Sequence, residues 1–290
     1  MEEAYRQHLV NGERAGARYV LNAPRIVPLG AAGDQLAKRA GSSLEFIDRR
    51  EYQPGDDLRA IDWSGFARSD KLIVKLYRDE VSPHADIILD GSRSMNLEGT
   101  RKAEAALGLT AAFAAASFNA GYSASAWIAA DGYRPVENGS SRPSIWDGID
   151  FEYTGSPADS FRRAAPRWRP YGIRILISDL LWIGDPMETL SRIAERASAV
   201  VVVQMLAESD IATPERGNVR FVDSETEEMQ EIFLDAGALA RYRNALARHQ
   251  ERWHTACRQA GAVMTTATAE ETASEWKLDA LVKSEVLQVA

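Results

Sequence analysis

From residue 84 onward, short apolar runs alternate with stretches of helical periodicity. The segments "ADIILD" (85–90), "YSASAWIAA" (122–130), "GIRILISD" (172–179) and "SAVVVVQML" (198–206) read as strands. Between them lie an almost wholly apolar helix at 101–119 and another helix at about 187–197. Leu239, Tyr242, Leu246, Trp253 and Cys257 recur on one face of an amphipathic helix at 236–260. "AVMTTA" (262–267) reads as a further strand and 270–285 as a last helix. Strands alternating with helices predict an α/β fold over 84–290, a mostly parallel doubly wound sheet with helices on both faces.

Residues 1–83 are patterned differently. A short helix at 2–10 and a connection at Pro24 and Pro28 precede a block from Gly41 to Glu80. That block interleaves acids and bases with Phe46, Tyr52, Trp63, Phe66 and Tyr77. Pro54-Gly55-Asp56-Asp57 marks a turn, and "KLIVKLY" (71–77) a strand. The expectation is a smaller N-terminal segment whose β-rich block packs on the main domain, since its aromatics are too few for a core of its own.

An apolar fraction of 45% suffices for a folded core. The net charge of -8 argues against a nucleic-acid binder, and the excess acid is local to 207–235. Cys257 is the only cysteine, which excludes an internal disulfide and favours a reducing compartment. "MEEAYRQHLV" lacks the apolar run of a signal peptide. Residues 105–130 carry no charge, yet they are rich in Ala, Ser and Gly and are interrupted by Asn119-Ala120-Gly121. They read as a buried helix, a turn and a strand rather than a membrane span. A soluble, cytoplasmic chain without membrane association is expected.

The chemistry concentrates in "DGSRSM", where Asp90, Ser92 and Ser94 follow a strand at alternate positions. A helix cap would use one of these groups, not three. A covalent aspartate nucleophile would want a second carboxylate two residues on, where Ser92 stands. A hard cation such as Mg²⁺ takes oxygen ligands, which fits all three. Such a site also needs oxygens from other strand ends, which gather at the carboxyl edge of an open α/β sheet. Asp179 ends a buried run just as Asp90 does.

Asp90-x-Ser92-x-Ser94 with a distant Asp179 resembles the metal-ion-dependent adhesion site of von Willebrand factor A domains. "REYQPGDDLRAIDW" (50–63), "KLYRDE" (75–80) and "DGSRSM" (90–95), in that order, are similar to the bacterial domain of unknown function 58 family, DUF58. The resemblance spans roughly 38–290. It implies a von Willebrand A-like fold and a site for Mg²⁺ or Mn²⁺ at Asp90, Ser92, Ser94 and Asp179. Thr154 supplies the second-loop hydroxyl, with Ser156 as competitor. Leu180 follows Asp179 where many von Willebrand A domains have glycine. The family's members are often encoded beside MoxR-type AAA+ ATPases, which implies a protein-binding adaptor or assembly factor that uses such an ATPase, or its client, as partner.

The competing class is a metal-assisted hydrolase using Asp90 and Asp179, which requires a general base that no further motif supplies. Asp56-Asp57, Arg59 and Asp62-Trp63 read as a structural turn with paired charges. Arg162, Arg163, Arg167, Arg169 and Arg174 read as a solvated basic face open to an acidic partner. His8, His84, His249 and His254 lack metal-ligand spacing.

Overall fold

The computed structural model describes residues 3–22, 46–54, 56, 58–69, 71–77, 83–212, 216–276 and 278–290, so Pro24, Pro28 and Asp57 lie outside it. The first elements are α1 (Glu3–Gly16), β1 (Tyr19–Leu21), β2 (Phe46–Glu51), α2 (Trp63–Ser69) and β3 (Ile73–Tyr77). Then come β4 (His84–Asp90), α3 (Lys102–Asn119), β5 (Ser123–Ala130), β6 (Gly132–Pro135), α4 (Pro157–Arg163) and β7 (Ile173–Ser178). Next are α5 (Pro186–Ala194), β8 (Ala199–Leu206), α6 (Glu208–Ile211), β9 (Gly217–Val222) and β10 (Met229–Leu234). The chain closes with α7 (Ala236–Ala260), β11 (Val263–Thr268), α8 (Ala269–Glu275), α9 (Asp279–Lys283) and β12 (Leu287–Val289). Two units result, Met1–Gly30 with Pro83–Ala290, and Ala31–Ser82.

In the larger unit six strands pair in the order β11-β8-β7-β4-β5-β6. The first five are parallel, and only the edge strand β6 is antiparallel. The sheet therefore grows outward from β4, with β5 on one side and β7 on the other. That reversal opens a crevice at the carboxyl end of β4, where ligands of open α/β sheets bind.

Side chains alternate between two cores, as the pleat demands. Ile87 and Leu89 join the core shared with α1, α3, α8 and α9, while Ile88 joins that of α4, α5 and α7. The chargeless run 105–130 becomes the almost fully buried α3, a turn with Gly121 at φ 75°, and β5. Among the described residues no helix is long and apolar enough to cross a membrane. Helix α7 is capped at both ends, by the Asp235 carboxylate on the Ala238 N–H at 2.6 Å and by Gly261 at φ 66°.

Helix α1 and the segment 270–285 depart from the expected pattern. Helix α1 runs on to Gly16 because its glycines are contact points: a Cβ on Gly12 would lie 1.9 Å from the Gly108 carbonyl oxygen, and one on Gly16 2.3 Å from that of Ala112. Bare backbone is what lets α1 and α3 approach. The helix expected over 270–285 instead breaks at Trp276, at φ 50°, into α8 and α9. The Trp276 ring lies against Gly108, where any Cβ would meet it at 1.9 Å. The chain then returns as β12, antiparallel to β1.

In the smaller unit β2 and β3 form an antiparallel pair. Asp56 accepts both Arg50 guanidinium nitrogens and the Gln53 N–H, and its pKa is lowered by these donors. Asp62 is bound by the Gly65 N–H at 3.1 Å and ion-pairs with Arg49 at 2.9 Å. These acids are held by their own neighbourhood.

Candidate metal centre

Strand β4 delivers Asp90, fully buried, to the crevice. Gly91 follows because the chain presses on β5: a Cβ there would stand 2.8 Å from Ile128. The Ser92 N–H turns back onto Asp90 Oδ1 at 3.0 Å, and the Ser178 hydroxyl donates to Asp90 Oδ2 at 2.6 Å. A short 3₁₀ turn, Arg93–Asn96, anchored by buried Met95, then brings Ser94 beside Ser92. Their hydroxyl oxygens are 3.0 Å apart.

Asp179 enters from the end of β7. Its Oδ1 accepts the Leu181 N–H at 3.0 Å, its Oδ2 accepts Lys102 Nζ at 3.0 Å, and its carbonyl accepts Gln204 Nε2 at 3.2 Å. Lys102 is fully buried and also pairs with Asp210 at 3.2 Å. Burial alone would lower the Lys102 pKa, but the Asp179 and Asp210 carboxylates outweigh it and hold the amine above its ordinary value. Leu180 adopts φ 60°, the left-handed conformation that glycine takes freely. The Leu180 N–H donates to Ser178 Oγ at 3.0 Å, and His249 Nε2 holds its carbonyl at 2.6 Å.

The second loop is drawn alongside by an isolated bridge between Ser92 and Tyr153. The Arg93 N–H donates to the Tyr153 carbonyl at 2.9 Å, and the Tyr153 N–H to that of Gly91 at 3.2 Å. Thr154 is therefore next along the chain to the Asp90 loop, with its side chain exposed. Ser156 is committed elsewhere. Its hydroxyl caps α4, donating to Asp159 Oδ2 at 2.6 Å and accepting the Asp159 N–H at 3.2 Å.

The electrostatics are unbalanced at Asp90. Burial, and then the Asp179 charge, push its carboxyl up to about 7, against the pull of its Ser178 and Ser92 donors. Lys102 answers Asp179 and Asp210, while among the described residues Asp90 receives only neutral donors. Among the described residues no group of three or more His, Cys, Asp or Glu side chains gathers as a metal cage. The donor set is of another kind, two carboxylates with paired hydroxyls. Neighbouring ligands of an octahedral Mg²⁺ at about 2.1 Å stand about 3.0 Å apart, which the Ser92 and Ser94 oxygens already match. The residues fit a hard cation, and one placed here would supply the positive charge that Asp90 lacks.

Two further sequence candidates, His84 and Arg174, are held by other contacts. His84 bonds Ser123 and Asp86, and Asp86 also accepts Trp127 Nε1 at 2.9 Å. Arg174 is not on a solvated face. It is buried, stacks 4.6 Å from the Trp168 ring and donates to the Ile193 and Glu195 carbonyls. The sequence did not point to Ser178, Lys102 or Gln204, which hold Asp90 and Asp179 in place. The readable signal was Lys102, which opens the almost wholly apolar helix α3 and, once buried there, has to find carboxylates.

The family described as "Protein of unknown function DUF58" matches residues 48–252. Among curated proteins, uncharacterized protein Rv1480 of Mycobacterium tuberculosis and uncharacterized protein Mb1516 of Mycobacterium bovis are each 26% identical over 234 residues, 75% of this chain and 72% of theirs. Among solved structures, the conserved hypothetical protein BatB of Bacteroides thetaiotaomicron aligns at 11% identity and a TM-score of 0.33, over 70% of this chain and 98% of its own. An aerotolerance-related membrane protein of Bacteroides fragilis aligns at 12% identity and the same TM-score of 0.33, over 69% and 99%.

Proposed function

The chain belongs to the DUF58 family, and from that premise we propose a non-enzymatic, divalent-metal-dependent protein-binding adaptor or assembly factor. Its larger unit is read as a von Willebrand A-like domain holding Mg²⁺ or Mn²⁺ at Asp90, Ser92, Ser94, Asp179 and Thr154. The partner is a MoxR-type AAA+ ATPase or a client of one. The observation that carries this reading is the hydroxyl pair at 3.0 Å beside a buried, cation-deficient Asp90 at the switch point of the sheet.

Bound there, a hard cation supplies a Lewis-acidic position for an anionic oxygen. The chain's own residues do the rest. Ser178 and the Ser92 N–H fix the Asp90 carboxylate, and Lys102 and the Leu181 N–H fix Asp179, so the oxygens are pre-positioned. Neutral hydroxyls leave positive charge unspent, which favours capture of a partner's Asp or Glu. Truncating a charged group at the centre of an interface can cost several kcal/mol, far more than at the rim. The second reading, a metal-dependent hydrolase using Asp90 and Asp179, needs a general base that no motif in the sequence supplies.

The test is binding to a MoxR-type AAA+ ATPase by interferometry, in Mg²⁺ and in EDTA. Chelation should weaken the complex, and so should Ser92→Ala without unfolding the protein. Tight binding indifferent to both would place the interface elsewhere.

A further inference from the structure

Neither the fold nor the metal reading accounts for the acidic hairpin β9–β10. Its two strands form a separate antiparallel sheet with mostly exposed residues, so core packing does not dictate where it sits. A specific ion pair ties it to the candidate site. Arg93, between Ser92 and Ser94, bonds Glu227 at 2.9 Å.

The turn itself is tightly built. The Asp223 carboxylate accepts the N–H groups of Glu225 and Thr226, each at 2.8 Å, and the Asp223 N–H donates to the Glu228 carbonyl at 2.9 Å. Glu227 closes it at φ 61°. The two glutamates then behave oppositely. The Glu227 side chain is 75% exposed. Glu225 turns inward, and its Oε2 is buried with no hydrogen-bond partner among the described residues.

Burying a carboxylate oxygen without a donor is unfavourable unless positive charge meets it. The groups acting on Glu225 are the Ser94 N–H, Asp179 and Arg93 of the candidate site and Asp223 of its own turn, and Arg93 gives its hydrogen bond to Glu227. A carboxylate oxygen left without a donor beside Ser94 and Asp179 makes physical sense when a cation meets it.

We propose that Glu225 is an internal carboxylate ligand for the divalent cation, held over the Asp90–Ser92–Ser94–Asp179 site by the β9–β10 hairpin, where it takes the position a partner's carboxylate would otherwise use. This rests on the metal reading above and adds a regulation to it. The tether is weak by design of its setting: Arg93 and Glu227 side chains are 35% and 75% exposed, and exposed ion pairs contribute little. A partner carboxylate therefore competes with a loosely latched internal one, and binding requires the hairpin to lift.

The experiment uses the full chain, Mn²⁺ as probe and acetate as external carboxylate. Mn²⁺ affinity is read by titration calorimetry, and Mn²⁺-bound water by proton relaxation. Glu225→Gln, nearly isosteric and in an exposed hairpin, should bind Mn²⁺ roughly tenfold more weakly, since ligand charge sets affinity at such sites. It should also gain a bound water, and acetate should displace that water in the variant but not in the wild type. Unchanged affinity and hydration in Glu225→Gln, with the wild type binding Mn²⁺ and Asp90→Ala not, would overturn the internal ligand and leave the metal site standing. A wild type that binds no Mn²⁺ would overturn both.

Discussion

Asp90→Asn should stabilise the metal-free protein at high pH while abolishing its response to metal. The wild-type carboxyl stands at about 7 in the folded chain against an ordinary 3.8. A folded-state pKa raised in this way favours folding fully only below about pH 4. Stability is then lost as pH rises through the window from 3.8 to about 7, because the unfolded chain gives up the proton first. At about 1.4 kcal/mol per pH unit, the loss at pH 8 is roughly 4 kcal/mol. Asparagine keeps the Ser92 N–H acceptor but must donate to Ser178 Oγ, leaving that hydroxyl's own proton unused, at about 1 kcal/mol. The net gain at pH 8 is then roughly 3 kcal/mol, or about 6–12 °C for a unit of this size, and near pH 5 the two terms roughly cancel. Thermal unfolding in EDTA at both values measures this. Saturating Mg²⁺ should then raise the wild-type midpoint and leave the variant's unchanged. A variant no more stable than wild type at pH 8 would refute the idea that Asp90 lacks a counter-charge.

Other substitutions probe the supports of the site. Lys102→Met leaves Asp179 and Asp210 buried without their ammonium and should cost about 3–5 kcal/mol, read from urea unfolding; a loss under about 1 kcal/mol would show the pair to be dispensable. Gly12→Ala forces α1 away from α3 and should lower stability by about 1–3 kcal/mol, with faster amide exchange in α1 as the local signature. Leu180→Gly relieves about 1 kcal/mol of left-handed strain but empties a fully buried position, so a net loss of roughly 2 kcal/mol is expected by calorimetry. A gain there would mean that the packing of Leu180 contributes little.

How far the sequence carried depended on burial. Strands β4, β7 and β8 are buried along their whole length, so their continuous apolar runs were readable. Helix α7 was legible from its one-sided periodicity. Strands β9 and β10 were not, because they are exposed on both faces and no alternation between core and solvent marks them. The break at Trp276 was invisible because its cause, the bare backbone of Gly108, lies far away in sequence. At the site, Asp90 and Asp179 announced themselves by ending apolar runs. Ser178 hid inside such a run, and Lys102 and Glu225 depend on partners that only the folded chain assembles.

The central claim is that a divalent cation sits between the Asp90 loop and Asp179. Crystals of the full chain soaked in Mn²⁺ and measured at the manganese edge test it directly. The account predicts an anomalous peak in contact with both the Ser92 and Ser94 hydroxyls, lost in Asp90→Ala. A featureless site at saturating Mn²⁺, with Lys102 still holding Asp179, would contradict it.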